Sequence, residues 1–180
     1  MSLFSKNFFY LILRFFPVLL LFFLVLGDFT FSFHAKKLVT FNLIYVVIYF
    51  WVLKKPEMMS YGFVFIAGII NDIVTGFPIG ISSIDYLFLC GIASYIRNIT
   101  LRSSLINDWL AFIPAVLIVN STHYAILNIF FNIEINHYYL LLSSIFTFCL
   151  YPLVGIIFNQ IFNLIYVVIY FWVLKKPEMM

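Results

Sequence analysis

Apolar runs of bilayer-crossing or nearly bilayer-crossing length follow one another through almost the whole chain, interrupted only by short polar or Gly- and Pro-rich breaks. A transmembrane helix needs about 20 apolar residues, so a chain of 180 residues built this way holds five to seven spans and no sizeable extramembrane domain. Composition agrees. The chain is 65% hydrophobic and 9% charged, whereas soluble domains are about 45–50% apolar and about 25% charged. A water-soluble globule could not cover this much apolar surface. The pattern excludes kinases, nucleases and any enzyme that depends on a soluble catalytic domain, and the net charge of +3 reads as membrane orientation rather than affinity for nucleic acid.

Hydropathy divides the chain into an all-α, polytopic transmembrane bundle of about six spans, with five as the alternative. The first runs from about Phe8 to Leu26 with Pro17 inside it, and a loop from Gly27 to Lys37 follows, holding Asp28, His34, Lys36 and Lys37. The second covers Leu38 to Leu53 and ends at Lys54-Lys55-Pro56-Glu57. The third, Tyr61 to Val74, breaks at Gly76-Phe77-Pro78-Ile79-Gly80, and the fourth covers Ile84 to Ile96, with Ile81 to Ser83 as a possible extension. Arg97, Arg102 and Asp108 mark an aqueous loop. The fifth covers Trp109 to Phe131 with Pro114, Asn120 and His123 inside, and the polar turn Asn132 to His137 lacks Lys and Arg. The sixth covers Tyr138 to Phe158, contains Pro152 and Gly155, and closes at Asn159-Gln160. Spans three and four are short and joined by a Gly-Pro break rather than a charged loop, which suggests either a tight membrane-embedded hairpin or a bent pair that does not fully cross.

Basic residues near the ends of short loops set orientation. With the N-terminus in the cytoplasm, Lys6, Lys54, Lys55, Arg97, Arg102, Lys175 and Lys176 are inside, and only Lys36 and Lys37 are outside. Phe8 to Leu26 reads as a retained span: it is longer than a signal-peptide core, carries Arg14 and lacks a small-x-small cleavage site. Cys90 and Cys149 lie inside apolar runs and suggest neither a disulfide framework nor a metal site.

An internal repeat stands apart. Phe41–Met59 and Phe162–Met180 are identical over 19 residues, at an offset of 121. Structural repeats in transporters are diverged, and the residues preceding the two copies differ, so this copy reads as a rearrangement at the DNA level. The chain is expected to form one transmembrane domain over 1–160, with 161–180 as a dispensable helical extension too short for its own span.

Ionisable groups in a bilayer are expensive and each needs a partner. Asp72, beside Asn71 and just before the Gly76 break, reads first as an anchor whose carboxylate accepts backbone N–H groups freed at the break, and second as a proton- or substrate-handling site. Asp85, preceded by Ser82 and Ser83, sits where a helix N-terminus would favour an acid. Asn120, Ser121, Thr122 and His123 cover most of one helical turn and face other helices or a small cavity. Arg14 snorkels or pairs with a bundle acid, Asp72 being one candidate. Gly62, Ala67, Gly68, Gly76 and Gly80 allow close helix approach, so the hairpin is expected to be the most tightly packed part. The sequons at Asn98 and Asn120 read as chance matches. No phosphate loop, catalytic triad, paired-carboxylate site, cofactor motif or metal-ligand spacing is present in the sequence.

One ordered set of residues resembles a known family. A span ending in Tyr49-Phe50-Trp51-Val52-Leu53 runs into the corner Lys54-Lys55-Pro56-Glu57, then Ala67-Gly68-Ile69-Ile70-Asn71-Asp72, then Gly76-Phe77-Pro78-Ile79-Gly80. This order, over about 60 residues, resembles the rod shape-determining protein MreD family; the C-terminal copy is the departure. The resemblance implies a non-enzymatic component of the bacterial inner membrane, associated with MreC, MreB, RodA and a penicillin-binding transpeptidase. Its structural candidates are Lys55, Pro56, Glu57, Gly68, Asp72, Gly76, Pro78, Gly80, Asn120 and His123. The same family is thought to share its fold with the substrate-binding components of energy-coupling-factor vitamin transporters. That relation supplies a second reading, a transport subunit whose pocket would be lined by Asn120 to His123.

Overall fold

A computed structural model describes residues 3–27, 42–100, 104–132 and 137–174. These residues are helical and contain no strand. Six α-helices follow one another: α1 (Leu3–Leu26), α2 (Leu43–Lys54), α3 (Tyr61–Thr75), α4 (Ile81–Ile99), α5 (Leu105–Phe131) and α6 (His137–Leu174), with a short 3-10 turn at Pro56–Met58. Two stretches, Leu105–Phe131 and Leu141–Ile161, are long and apolar enough to cross a membrane, and only 28% of the most apolar window in each is buried. Both therefore turn most of their apolar surface outward.

At the centre lies α2. Every residue from Tyr45 to Leu53 is buried, which explains why this helix has no polar face. Twelve residues at about 1.5 Å each extend only about 18 Å, so α2 is a buried half-length rod rather than a full span. It starts at Leu43, later than the Leu38 expected, and residues 28–41, with Lys36 and Lys37, lie outside the described residues. Its end follows from Pro56: the residue before a proline disfavours helix, and Lys55 already leaves it, its N–H still donating to the Trp51 carbonyl at 2.7 Å.

Around this rod, α6 runs alongside in the same direction, with Tyr49 against Tyr151 and Phe50 against Phe158. The antiparallel neighbour of α6 is α5, joined through Asn120 Nδ2 donating to Ser144 Oγ and Trp109 stacked on Phe148 at 4.7 Å. Pro152 cannot donate to the carbonyl four residues back, which belongs to Phe148. Trp109 Nε1 supplies the missing bond at 3.0 Å, so α6 passes through its proline without losing a backbone acceptor. Contrary to the expected stop at Asn159-Gln160, α6 continues unbroken to Leu174, 38 residues in all. That is about 57 Å, beyond a hydrocarbon core of about 30 Å. The second copy therefore continues α6 rather than starting a new element, and residues 175–180 lie outside the described residues.

Candidate functional site

Helices α3 and α4 form the hairpin, and one residue closes it. At its C-terminus α3 passes into the left-handed region at Gly76 (φ 74°), and the Phe77 N–H turns back to the Asp72 carbonyl at 3.0 Å, the six-to-one closure of a Schellman motif. The first N–H groups of α4 have no partner inside their own helix. Gly80 N–H donates to Asp72 Oδ2 at 2.7 Å, and Ser82 N–H donates to Oδ1 at 3.0 Å. The Asp72 backbone thus ends one helix while its side chain begins the next. Gly80 sits at φ 105°, which a side chain would strain, and Pro78 lies between the two glycines. Asp72 is fully buried, its carboxylate satisfied by backbone donors as the anchoring reading requires. The Arg14 side chain, its other suggested partner, lies outside the described side chains.

Where the helices cross, Gly68 is in contact with Ser83. A Cβ on Gly68 would stand 2.4 Å from the Ser83 Cα, so only glycine permits this approach. Ser83 Oγ donates to the Phe65 carbonyl at 3.0 Å, and Asn71 Nδ2 donates to Ser82 Oγ at 3.0 Å. Small residues and interhelical hydrogen bonds here serve one purpose, close backbone approach.

Asp85 does not cap α4. It is the fifth residue of that helix and 1% exposed, and it pairs with Nδ1 of His123 from α5. The expected capping position is instead served by Asp72 from the preceding helix, which leaves Asp85 free to point across the bundle. Phe77 lies edge-on to the His123 ring at 5.7 Å, which puts the imidazole level with the hairpin turn. Tyr45 and Tyr86 meet edge-on beside it at 5.9 Å.

The polar run on α5 does not converge on one cavity. Asn120 reaches Ser144 on α6, Thr122 donates to its own helix at Ile118, and His123 meets Asp85 on α4. Ser121 and Thr122 border an open groove of about 500 Å³ with Leu117, Ile118 and Ala125 among its apolar walls.

A third buried acid lies at the opposite end of the bundle. Asp108, expected in an aqueous loop, is instead 1% exposed in the first turn of α5. Lys54 at the end of α2 reaches its Oδ2 at 2.7 Å, and Tyr49 OH donates to the Asp108 carbonyl at 3.3 Å. The corner Lys55-Pro56-Glu57 follows as the 3-10 turn, with Glu57 exposed and Met59 buried beneath it. Neither the Asp85–His123 pair nor the Lys54–Asp108 pair was legible in the sequence, although the need of an intramembrane charge for a partner singled out Asp85 and His123 separately. Cys90 is buried in the apolar core. Among the described residues no three His, Cys, Asp or Glu side chains are grouped as a metal site.

Comparison with protein-family models, curated proteins and solved structures returned no match to the chain.

Proposed function

We propose that the chain is a non-enzymatic, multi-pass protein of the bacterial inner membrane that serves the cell-elongation machinery, with its N-terminus in the cytoplasm and all six helices contributing to the membrane-embedded bundle. The observation that carries this reading is the joint at Asp72. The residues of the family resemblance, Gly68, Asp72, Gly76 and Gly80, serve close packing, turn formation and capping. Such a rigid bundle, apolar on the outside, suits a part that positions other membrane proteins. Large apolar side chains such as Leu19, Phe23, Ile73, Ile129 and Phe130 face outward, toward lipid or toward partner helices. By resemblance those partners are MreC and, with it, MreB, RodA and a penicillin-binding transpeptidase.

The vitamin-transport reading requires convergent polar groups in a roomy pocket. Asn120, Thr122 and His123 are each engaged with a different neighbour, which favours the scaffold. Affinity purification of the full chain from gently solubilised membranes tests the choice. The scaffold reading expects a single-span periplasmic coiled-coil protein and wall synthases; an ATPase module with a bound vitamin would overturn it.

A further inference from the structure

A buried carboxylate with one open oxygen occurs once among the described aspartates. Asp72 has both oxygens satisfied by backbone N–H groups. Asp85 gives Oδ2 to His123 Nδ1, whereas its Oδ1 is sealed from the surface and has no hydrogen-bond partner among the described residues. The imidazole is asymmetric in the opposite sense. Nδ1 faces the buried acid, and the side chain retains 21% exposure. Nε2 has no hydrogen-bond partner among the described residues and is not among the sealed atoms. An enclosed carboxylate is therefore joined, through one ring, to a nitrogen that the surroundings can reach. Phe77 places that ring level with the hairpin turn, so the open nitrogen lies at the end of the hairpin rather than midway along it.

We propose that Asp85 and His123 form a proton-binding site that fastens α5 to the α3–α4 hairpin. In the unloaded state Nδ1–H donates to Asp85 and Nε2 carries a lone pair. A proton from an aqueous acid adds to Nε2, the acid leaves as its conjugate base, and the neutral ring becomes an imidazolium beside the carboxylate. The carboxylate already strengthens this hydrogen bond in the unloaded state; the loaded ring adds the attraction between opposite charges in an apolar setting, so the loaded pair grips harder. The titratable groups acting on Asp85 are Asp72 from α3, Tyr45 from α2, Tyr86 from α4 and His123 from α5; the described side chains of α1 and α6 contribute none. Two carboxylates and one imidazole in one apolar neighbourhood leave an excess negative charge when the proton is absent, and the loaded state reduces it.

The test uses the full chain in lipid nanodiscs with ¹⁵N-labelled histidine. Of the three histidines, the one whose signal is lost in His123→Gln is expected to keep a protonated Nδ1 at every pH at which the chain stays folded and to change only at Nε2. In Asp85→Asn the ring is expected to lose this fixed arrangement, with the Nδ1 signal changing together with that of Nε2. An Nε2 that does not respond to pH, or an Nδ1 signal unchanged in Asp85→Asn, overturns the proposal. Should Asp85→Asn fail to fold, the wild-type spectrum decides alone. The site does not depend on the scaffold reading, and neither stands or falls with the other.

Discussion

The two ends of the bundle neutralise their buried acids by different means. At the Lys54 end a fixed charge does it: a lysine lies 2.7 Å from Asp108, and Tyr49 and Trp109 tie the neighbouring helices to the same corner. At the hairpin end the backbone does it for Asp72, and a titratable ring does it for Asp85. The difference shows how an apolar bundle distributes rigidity. A lysine pair or a cap made of amides holds its carboxylate with fixed donors, whereas the Asp85–His123 pair leaves one carboxylate oxygen without a partner and the ring partly exposed. The hairpin end therefore combines the two-donor joint at Asp72 with the one contact among these three that the proposed proton would alter.

The strongest challenge to this comparison is Gly68→Val, since a branched side chain would meet Ser83 backbone. Overpacking of this kind costs about 3 kcal/mol or more, and the expected outcome is loss of the heat-stable, detergent-extractable protein. Next comes Lys54→Met, which removes the cation 2.7 Å from the Asp108 carboxylate; breaking a buried pair from one side costs about 3–5 kcal/mol, toward the lower end here because Lys54 is partly exposed. A clear drop in melting temperature is expected, with Asp108→Asn in the Lys54→Met background recovering part of it. Asp72→Asn keeps one acceptor but turns an N–H₂ toward a backbone donor, a loss of about 1–3 kcal/mol, visible as faster protease cleavage at the Gly76–Gly80 turn. The smallest effect belongs to Gly76→Ala. No atom lies within 4 Å of the added carbon, so only the left-handed backbone is strained, at about 1 kcal/mol, and a small melting shift should be all that thermal unfolding detects.

The hairpin was legible in the sequence because each of its parts is local: short apolar runs, an acid before a Gly-x-Pro-x-Gly break, and glycines where turns need them. Helix ends were legible where a breaker sits close by. Pro56 ends α2 one residue past the expected Leu53, but Asn159-Gln160 did not end α6, because two polar residues lower helix propensity only slightly and remove no backbone bond. The two identical copies make the same point. In the first, the segment is a separate helix enclosed by its neighbours, and in the second it continues an existing helix, so the repeated residues specify helix but not what surrounds it. The pairs Asp85–His123 and Lys54–Asp108 join residues 38 and 54 positions apart, and no local pattern encodes them. Asp108 was misplaced in an aqueous loop for that reason: beside Arg102 it looks solvated, and only the fold supplies Lys54.

The central claim, a scaffold for wall elongation, is tested most directly by depleting the chain in a rod-shaped bacterial host while following cell width and vitamin uptake together. The account predicts that cells widen and round up with uptake unchanged. Rods that keep their width while uptake of a vitamin collapses would contradict it.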